Sequence, residues 1–132
     1  MVSALVSIGA RMLRFQISTA REDGTTVVGI RGELDLASGG HLKQEVDRVL
    51  WEAPERLVFD LSDCGFIDTT GVSLIVRAQR GGAENGSRVL VVARPGGDVR
   101  RTLELTGLAA SVPVFDSVQA AVGGRREFQP DP

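Results

Sequence analysis

The densest group of reactive side chains is Phe66-Ile67-Asp68-Thr69-Thr70-Gly71-Val72, where one carboxylate and two hydroxyls stand between apolar anchors and the start of a helix-periodic segment. A threonine at a helix start holds its hydroxyl at the positive end of the peptide dipoles, where exposed N–H groups favour a phosphate or any other anion. Two roles suit that position. The hydroxyl can cap the helix, a contribution of about 1 kcal/mol, or it can accept a phosphoryl group. Further carboxylates are close in sequence: Asp60 and Asp63 on the same strand-to-helix connection, and Glu33 and Asp35 at the end of an earlier strand. Acid–base or Mg²⁺ chemistry would require at least two of them to converge, which spacing alone does not establish.

Other routes to catalysis are poorly supplied. The chain has one cysteine, Cys64, and one histidine, His41, so neither an internal disulfide nor a His/Cys zinc site can form within it. A Ser-His-Asp or Cys-His arrangement would have to use His41, which lacks an elbow motif beside it. The sequence contains no G-x-x-x-x-G-K-[ST] and no G-x-G-x-x-G, and its 16 glycines are scattered at turns. No cofactor is expected. With 15 Lys+Arg against 17 Asp+Glu, the net charge of −2 argues against a basic surface that tracks nucleic-acid phosphates. Trp51 and five phenylalanines are the whole aromatic supply, too few for a base-stacking platform. No apolar run approaches the roughly 18 residues of a membrane span, and the first eleven residues lack a basic n-region, so a cytoplasmic protein without a membrane partner is expected.

The 132 residues suit one domain able to bury an ordinary core. Two alternating stretches, Leu13–Ser18 and Thr25–Arg31, flank an Asp23-Gly24 step and predict an antiparallel hairpin. Leu42, Val46, Val49 and Leu50 then fall on one helical face, with Ser38 as the expected N-cap, Gly39-Gly40 weakening the first turn and Pro54 closing the region. Arg56–Leu61 has an apolar middle typical of a strand buried on both faces, and Ser62–Gly71 is expected as a loop feeding a helix that ends near Arg80. Arg88–Ala93 is a further buried strand. Pro95–Asp98 opens a third helix ended by Gly107, Ser111–Phe115 is a short apolar stretch, and a last helix runs through Val122. The order predicts an α/β fold with a mixed, mostly parallel sheet of about four to five strands and about four helices. Residues 1–12 are expected to be a flexible extension, 13–122 the domain, and 123–132 a flexible tail.

Gly32-Glu33-Leu34-Asp35, the amphipathic helix, Leu57–Ser62, Phe66–Val72 and Leu105-Thr106-Gly107-Leu108 together resemble the STAS family of anti-sigma factor antagonists. The resemblance covers about residues 13–122 and rests mainly on the G-E-L-D and F-I-D-T-T-G pair. It implies a STAS-like fold without enzymatic activity and a protein-interaction switch: the chain would bind an anti-sigma factor that has serine/threonine kinase activity, displace its sigma factor, and be shut off when that kinase phosphorylates the residue after the motif's Asp. Carried onto this sequence, the phosphoacceptor is Thr69, where many antagonists have Ser, and the partner-binding residues are Asp35, Asp68, Thr70, Gly71 and Val72. The alternative it leaves is a non-switching STAS scaffold subunit, stressosome-like or transporter-associated. A monomer or weak dimer is expected.

A phosphate adds about −1.5 to −2 charges and needs cationic or N–H partners. At Thr69 it would gain from the helix N-terminus and meet Asp68 and Asp35 as like charges, so the isolated domain should change little while a partner complementary to neutral Thr69 is repelled. Residues 33–68 hold nine acids against three bases, and residues 77–101 six bases against two acids. The near-neutral total thus averages an acidic stretch carrying both motifs with a basic one beyond it. Arg77 and Arg80 are expected on a solvated face that can border the partner surface, and Cys64 is expected as a core or loop filler.

Overall fold

Asp23 and Gly24 both take left-handed backbone angles, with φ of 53° and 79°, and close a two-residue turn between the paired residues Glu22 and Thr25. That is the geometry in which Asp-Gly matches the twist of two antiparallel strands. The strands are β2 (Phe15–Glu22) and β3 (Thr25–Leu34). They belong to a computed structural model that describes residues 2–5 and 15–127. On the far side of β2 lies β1 (Val2–Leu5), antiparallel to it, with Val2 opposite Thr19. The remaining strands are β4 (Arg56–Ile67), β5 (Arg88–Val92) and β6 (Val114–Phe115), and the helices are α1 (Leu36–Trp51), α2 (Thr69–Asn85), α3 (Asp98–Leu105), α4 (Leu108–Ser111) and α5 (Val118–Glu127).

The six strands lie in chain order, antiparallel for β1-β2-β3 and parallel from β3 to β6. Period-two alternation assigns the two faces. Leu57, Phe59, Leu61, Val89 and Val91 point into the larger core under α1, α2 and α3, whereas Val58, Leu90 and Val92 meet Phe115 and Ala121 of the smaller cluster beneath α5. The α/β class and the mixed, mostly parallel sheet are therefore as expected. A carboxylate network ties α1 to β2: Thr19 Oγ1 donates to Glu45 Oε2 at 2.5 Å, Arg48 bridges Glu45 and Glu52, and Arg21 forks onto Glu52 at 2.8 and 3.0 Å. Arg48 and Arg21 hold the Glu45 and Glu52 carboxyls below their ordinary range.

Several boundaries differ from the sequence expectation. Part of the expected N-terminal extension is a strand, because β2 offers an open edge whose backbone groups Val2–Leu5 can pair; Met1 and residues 6–14 lie outside the described residues. The expected loop at Ser62–Gly71 is strand as far as Ile67, kept on β3 by two register shifts opposite Gly29–Arg31 and Gly32–Glu33. Helix α2 passes Gly81-Gly82 and stops only where Gly86 takes a left-handed φ of 82°. Helix α5 runs to Glu127, past the expected end at Val122, since Arg125-Arg126-Glu127 are good helix formers; residues 128–132 of the expected tail lie outside the described residues.

Candidate functional site

Parallel strands β3 and β4 end in register, with Leu34 opposite Ile67, and each hands over to a helix after a single residue. Those residues are Asp35 and Asp68. Asp35 Oδ1 accepts from the N–H groups of Ala37 and Ser38 at 3.1 and 3.2 Å, and Asp68 Oδ1 accepts from those of Thr70 and Gly71 at 2.9 and 3.3 Å. The N–H of Asp68 donates to the carbonyl of Leu34 at 3.2 Å. Two helix N-termini thus stand side by side at one end of the sheet, each capped by the acid of a recognisable motif.

The caps correct two expectations. Ser38 is not the N-cap of α1 but the third residue within it: its Oγ accepts from the Asp35 N–H at 3.0 Å and donates to the Glu33 carbonyl at 2.9 Å, which completes a capping box around Asp35. Neither Thr69 nor Thr70 caps α2, because a carboxylate one residue earlier already takes those donors. Thr69 is left at the first helical position, exposed, and its hydroxyl has no hydrogen-bond partner among the described residues. The Thr70 and Gly71 N–H groups that a phosphate on Thr69 would seek are already bound to Asp68, so the helix offers it less than the sequence implied.

The other expected partner-binding residues divide. Asp35, Asp68, Thr70 and Val72 are half-buried, and Val72 packs on the core. Gly71 is buried: a Cβ there would lie 2.6 Å from Ile67 Cγ1 and 2.9 Å from Leu34, so this residue sets how closely α2 sits on the strand ends and supports the surface without forming it. Gly39 does the same between helices, since a Cβ would meet the Thr70 Cγ2 methyl at 3.0 Å. Two large apolar residues complete the surface, Leu36, which the sequence reading did not single out, and Phe66, which it took for an apolar anchor of the motif. Leu36, at the first position of α1, is 80% exposed, and Phe66 is 49% exposed. A large apolar residue directly after a capping Asp was the available signal for Leu36.

The acidic stretch does not gather at Thr69. Glu33, Asp35 and Asp68 are at that end; Glu45 and Glu52 are engaged along α1, and Asp63 sits between Arg31 and Arg94 at 3.5 and 3.4 Å. Among the described residues no three His, Cys, Asp or Glu side chains form a cluster able to hold a metal ion. Cys64 is buried, its thiol donates to the Phe66 carbonyl at 3.2 Å, and burial pushes its pKa up.

A sheet of this order with two capped helices at the G-E-L-D and F-I-D-T-T-G ends can be compared with known proteins. The STAS domain family model matches residues 16–121. The chain belongs to the STAS domain family. Within it, an anti-sigma-F factor antagonist, RsfB, of Mycobacterium tuberculosis is 30% identical over 112 residues, covering 83% of this chain and 88% of the relative. The crystal structure of an anti-sigma factor antagonist from Mycobacterium paratuberculosis superposes with a TM-score of 0.76 at 28% identity, over 83% of this chain and 92% of that one. The phosphorylated form of the Bacillus cell fate determinant SpoIIAA shares the fold, with a TM-score of 0.63 at 16% identity over 82% of this STAS chain and 97% of its own. These relatives are antagonists of anti-sigma factors, which is a regulatory and not a catalytic role.

Proposed function

We propose that this chain is a cytoplasmic anti-sigma factor antagonist that binds an anti-sigma factor kinase at the α1/α2 end of the sheet, releases the sigma factor, and is switched off by phosphorylation of Thr69. The observation that carries the reading is the Thr69 hydroxyl, exposed and unbonded among the described residues, at the head of a helix whose N-terminal donors Asp68 already occupies. Relatives named as antagonists support the class of partner. SpoIIAA, which is known in a phosphorylated form, supports the kind of switch.

Docking would use Asp35 and Asp68 as acidic contacts for a basic partner, with Thr70 and Val72 behind Thr69, Gly71 fixing the helix position, and Leu36 and Phe66 supplying apolar surface. A phosphate on Thr69 adds up to about two negative charges beside Asp68. Because that carboxylate holds the nearest N–H groups, the phosphate stays outward, and a partner fitted to the neutral hydroxyl would have to bury it unpaired, which costs several kcal/mol. The domain itself need not move. No described helix is long and apolar enough to cross a membrane.

Incubation with the cognate anti-sigma kinase and ATP should add one phosphate by intact mass, absent in Thr69→Ala, and Thr69→Asp should lose partner binding. Thr69→Asp binding as tightly as the unmodified chain would overturn the switch. A stable high-mass assembly on size exclusion, with no phosphate acquired, would favour the scaffold-subunit alternative.

A further inference from the structure

Helices α1 and α2 leave a groove of about 250 Å³ between them, away from their capped ends. Val46 and Leu50 of α1 and Leu74 and Ala78 of α2 form its apolar floor. Its rim is charged. On α1, Lys43 Nζ and Asp47 Oδ2 pair at 3.0 Å and neutralise each other. On α2, Arg77 and Arg80 are exposed and, among the described residues, have no ion pair or hydrogen bond, unlike Arg21, Arg48 and Arg100, each of which is held by an acid. An apolar trough with two exposed guanidinium groups on one bank, neither paired with an acid among the described residues, is complementary to a surface that is apolar in the middle and anionic at the side.

The size of the groove selects among occupants of that chemistry. Small-molecule sites usually enclose roughly 300–1,000 Å³, so this one is short of a cofactor and suits single large apolar side chains entering in sequence. A helix supplies them at i, i+3 and i+4, and the ridges of two neighbouring helices form the kind of trough that a third helix packs into. We propose that the α1/α2 groove docks an amphipathic helix of a protein partner whose apolar stripe is flanked by acidic residues on the side facing Arg77 and Arg80. This surface is separate from Thr69, which lies two turns earlier on α2, and it does not depend on Thr69 being a phosphoacceptor. Its sign is also opposite: the capped end attracts basic groups, whereas the groove attracts acidic ones.

The test uses the isotopically labelled full chain and two synthetic helical peptides of about 14 residues, or about four turns, with the same leucine stripe, one flanked by Glu and the other by Lys. The Glu peptide should shift the backbone amide signals of Leu50, Leu74 and Ala78 and bind at least about tenfold more tightly than the Lys peptide, with a difference that shrinks as salt screens the guanidinium groups. Arg77→Glu/Arg80→Glu should reverse the preference, and the milder Arg77→Gln/Arg80→Gln should abolish it; these side chains are exposed and unpaired, so the fold is not at stake. Thr69→Asp should leave Glu-peptide affinity unchanged, which separates this surface from the switch. Equal affinity for the two peptides, binding of neither, unchanged affinity in the arginine variants, or shifts confined to Leu36 and Thr69 would each overturn the proposal.

Discussion

The backbone N–H of Asp68 donates to the carbonyl of Leu34 at 3.2 Å, and this bond sets the heads of α1 and α2 level with each other. Leu34 is the last residue of β3 and Asp68 the cap of α2, so the last rung between the two parallel strands is also the start of the functional surface. The consequence is mechanical: Asp35 and Asp68, 33 residues apart in sequence, take equivalent positions, and whatever meets Thr69 also meets the start of α1.

The caps can be separated from their charges by substitution. Asp68→Ala removes the acceptor for two N–H groups and should cost about 1 kcal/mol, which for a domain of this size lowers the melting temperature by about 4 °C. Asp68→Asn keeps an acceptor of the same reach and should melt within about 1 °C of the unmodified chain. Calorimetry on the two variants checks this. Equal losses would mean that the Asp68 charge, and not its hydrogen bonds, stabilises α2.

The two buried glycines should differ in their sensitivity. At Gly71 an added methyl would lie 2.6 Å from Ile67 Cγ1 and 2.9 Å from Leu34, both on the strand ends, so Gly71→Ala should destabilise by about 1–3 kcal/mol. At Gly39 it would touch the Thr70 Cγ2 methyl at 3.0 Å and Leu74 Cδ1 at 3.4 Å, both looser contacts than those at Gly71 and both on the neighbouring helix, not the strand ends. The gain in helix propensity, up to about 1 kcal/mol, offsets that contact, so Gly39→Ala should be close to neutral. Urea midpoints of the pair decide it, and a Gly39→Ala loss as large as that of Gly71→Ala would show that the helix–helix contact is as rigid as the helix–strand one.

Strand and helix types were legible in the sequence because their periodicities are strong: Leu42, Val46 and Val49 can only share a helical face, and Leu57–Leu61 alternates into two cores. Boundaries were not, where a long-range partner decides them. Ile67 stays in β4 because β3 continues beside it, and Val2–Leu5 becomes a strand because β2 has a free edge, neither of which is written locally. At the site, Asp35 and Thr69 were identifiable from motifs, but the cap of each helix was misplaced onto a hydroxyl, since Ser and Thr are good caps and only the backbone angles show that the preceding Asp occupies that position. The acidic stretch misled for a related reason: Glu45 and Glu52 were counted in the same stretch as both motifs, but Glu45 lies midway along α1 and Glu52 caps its far end.

The network along α1 makes stability depend on acid. Glu45 is held below its ordinary value of 4.5 chiefly by its hydrogen bonds with Arg48, and Glu52 chiefly by its hydrogen bonds with Arg21. Folded-state values below unfolded ones mean that the native state binds fewer protons, so the contribution is complete above about pH 4.5 and is lost as the pH falls through the lowered folded values. The urea midpoint should therefore fall on the acid side of 4.5. Glu45→Gln should be less stable than the unmodified chain at pH 7 and lose less on acidification, and parallel acid slopes for the two proteins would exclude Glu45 as a source of the dependence.

Cys64 should be chemically quiet. It is 7% exposed, its thiol donates to the Phe66 carbonyl at 3.2 Å, and burial, with a smaller contribution from Glu33, raises its pKa. The nucleophile in alkylation is the thiolate, so both access and ionisation oppose reaction in the native state. Iodoacetamide at pH 8 should modify the folded chain far more slowly than the urea-unfolded chain, and the native rate should follow the population of opened molecules as urea is raised below the transition. Cys64→Ala should leave partner binding unchanged while lowering stability modestly through the lost sulfur contacts. Native alkylation as fast as in the unfolded chain would place the thiol at the surface of β4 and require the bulge beside Gly32–Glu33 to open freely in solution.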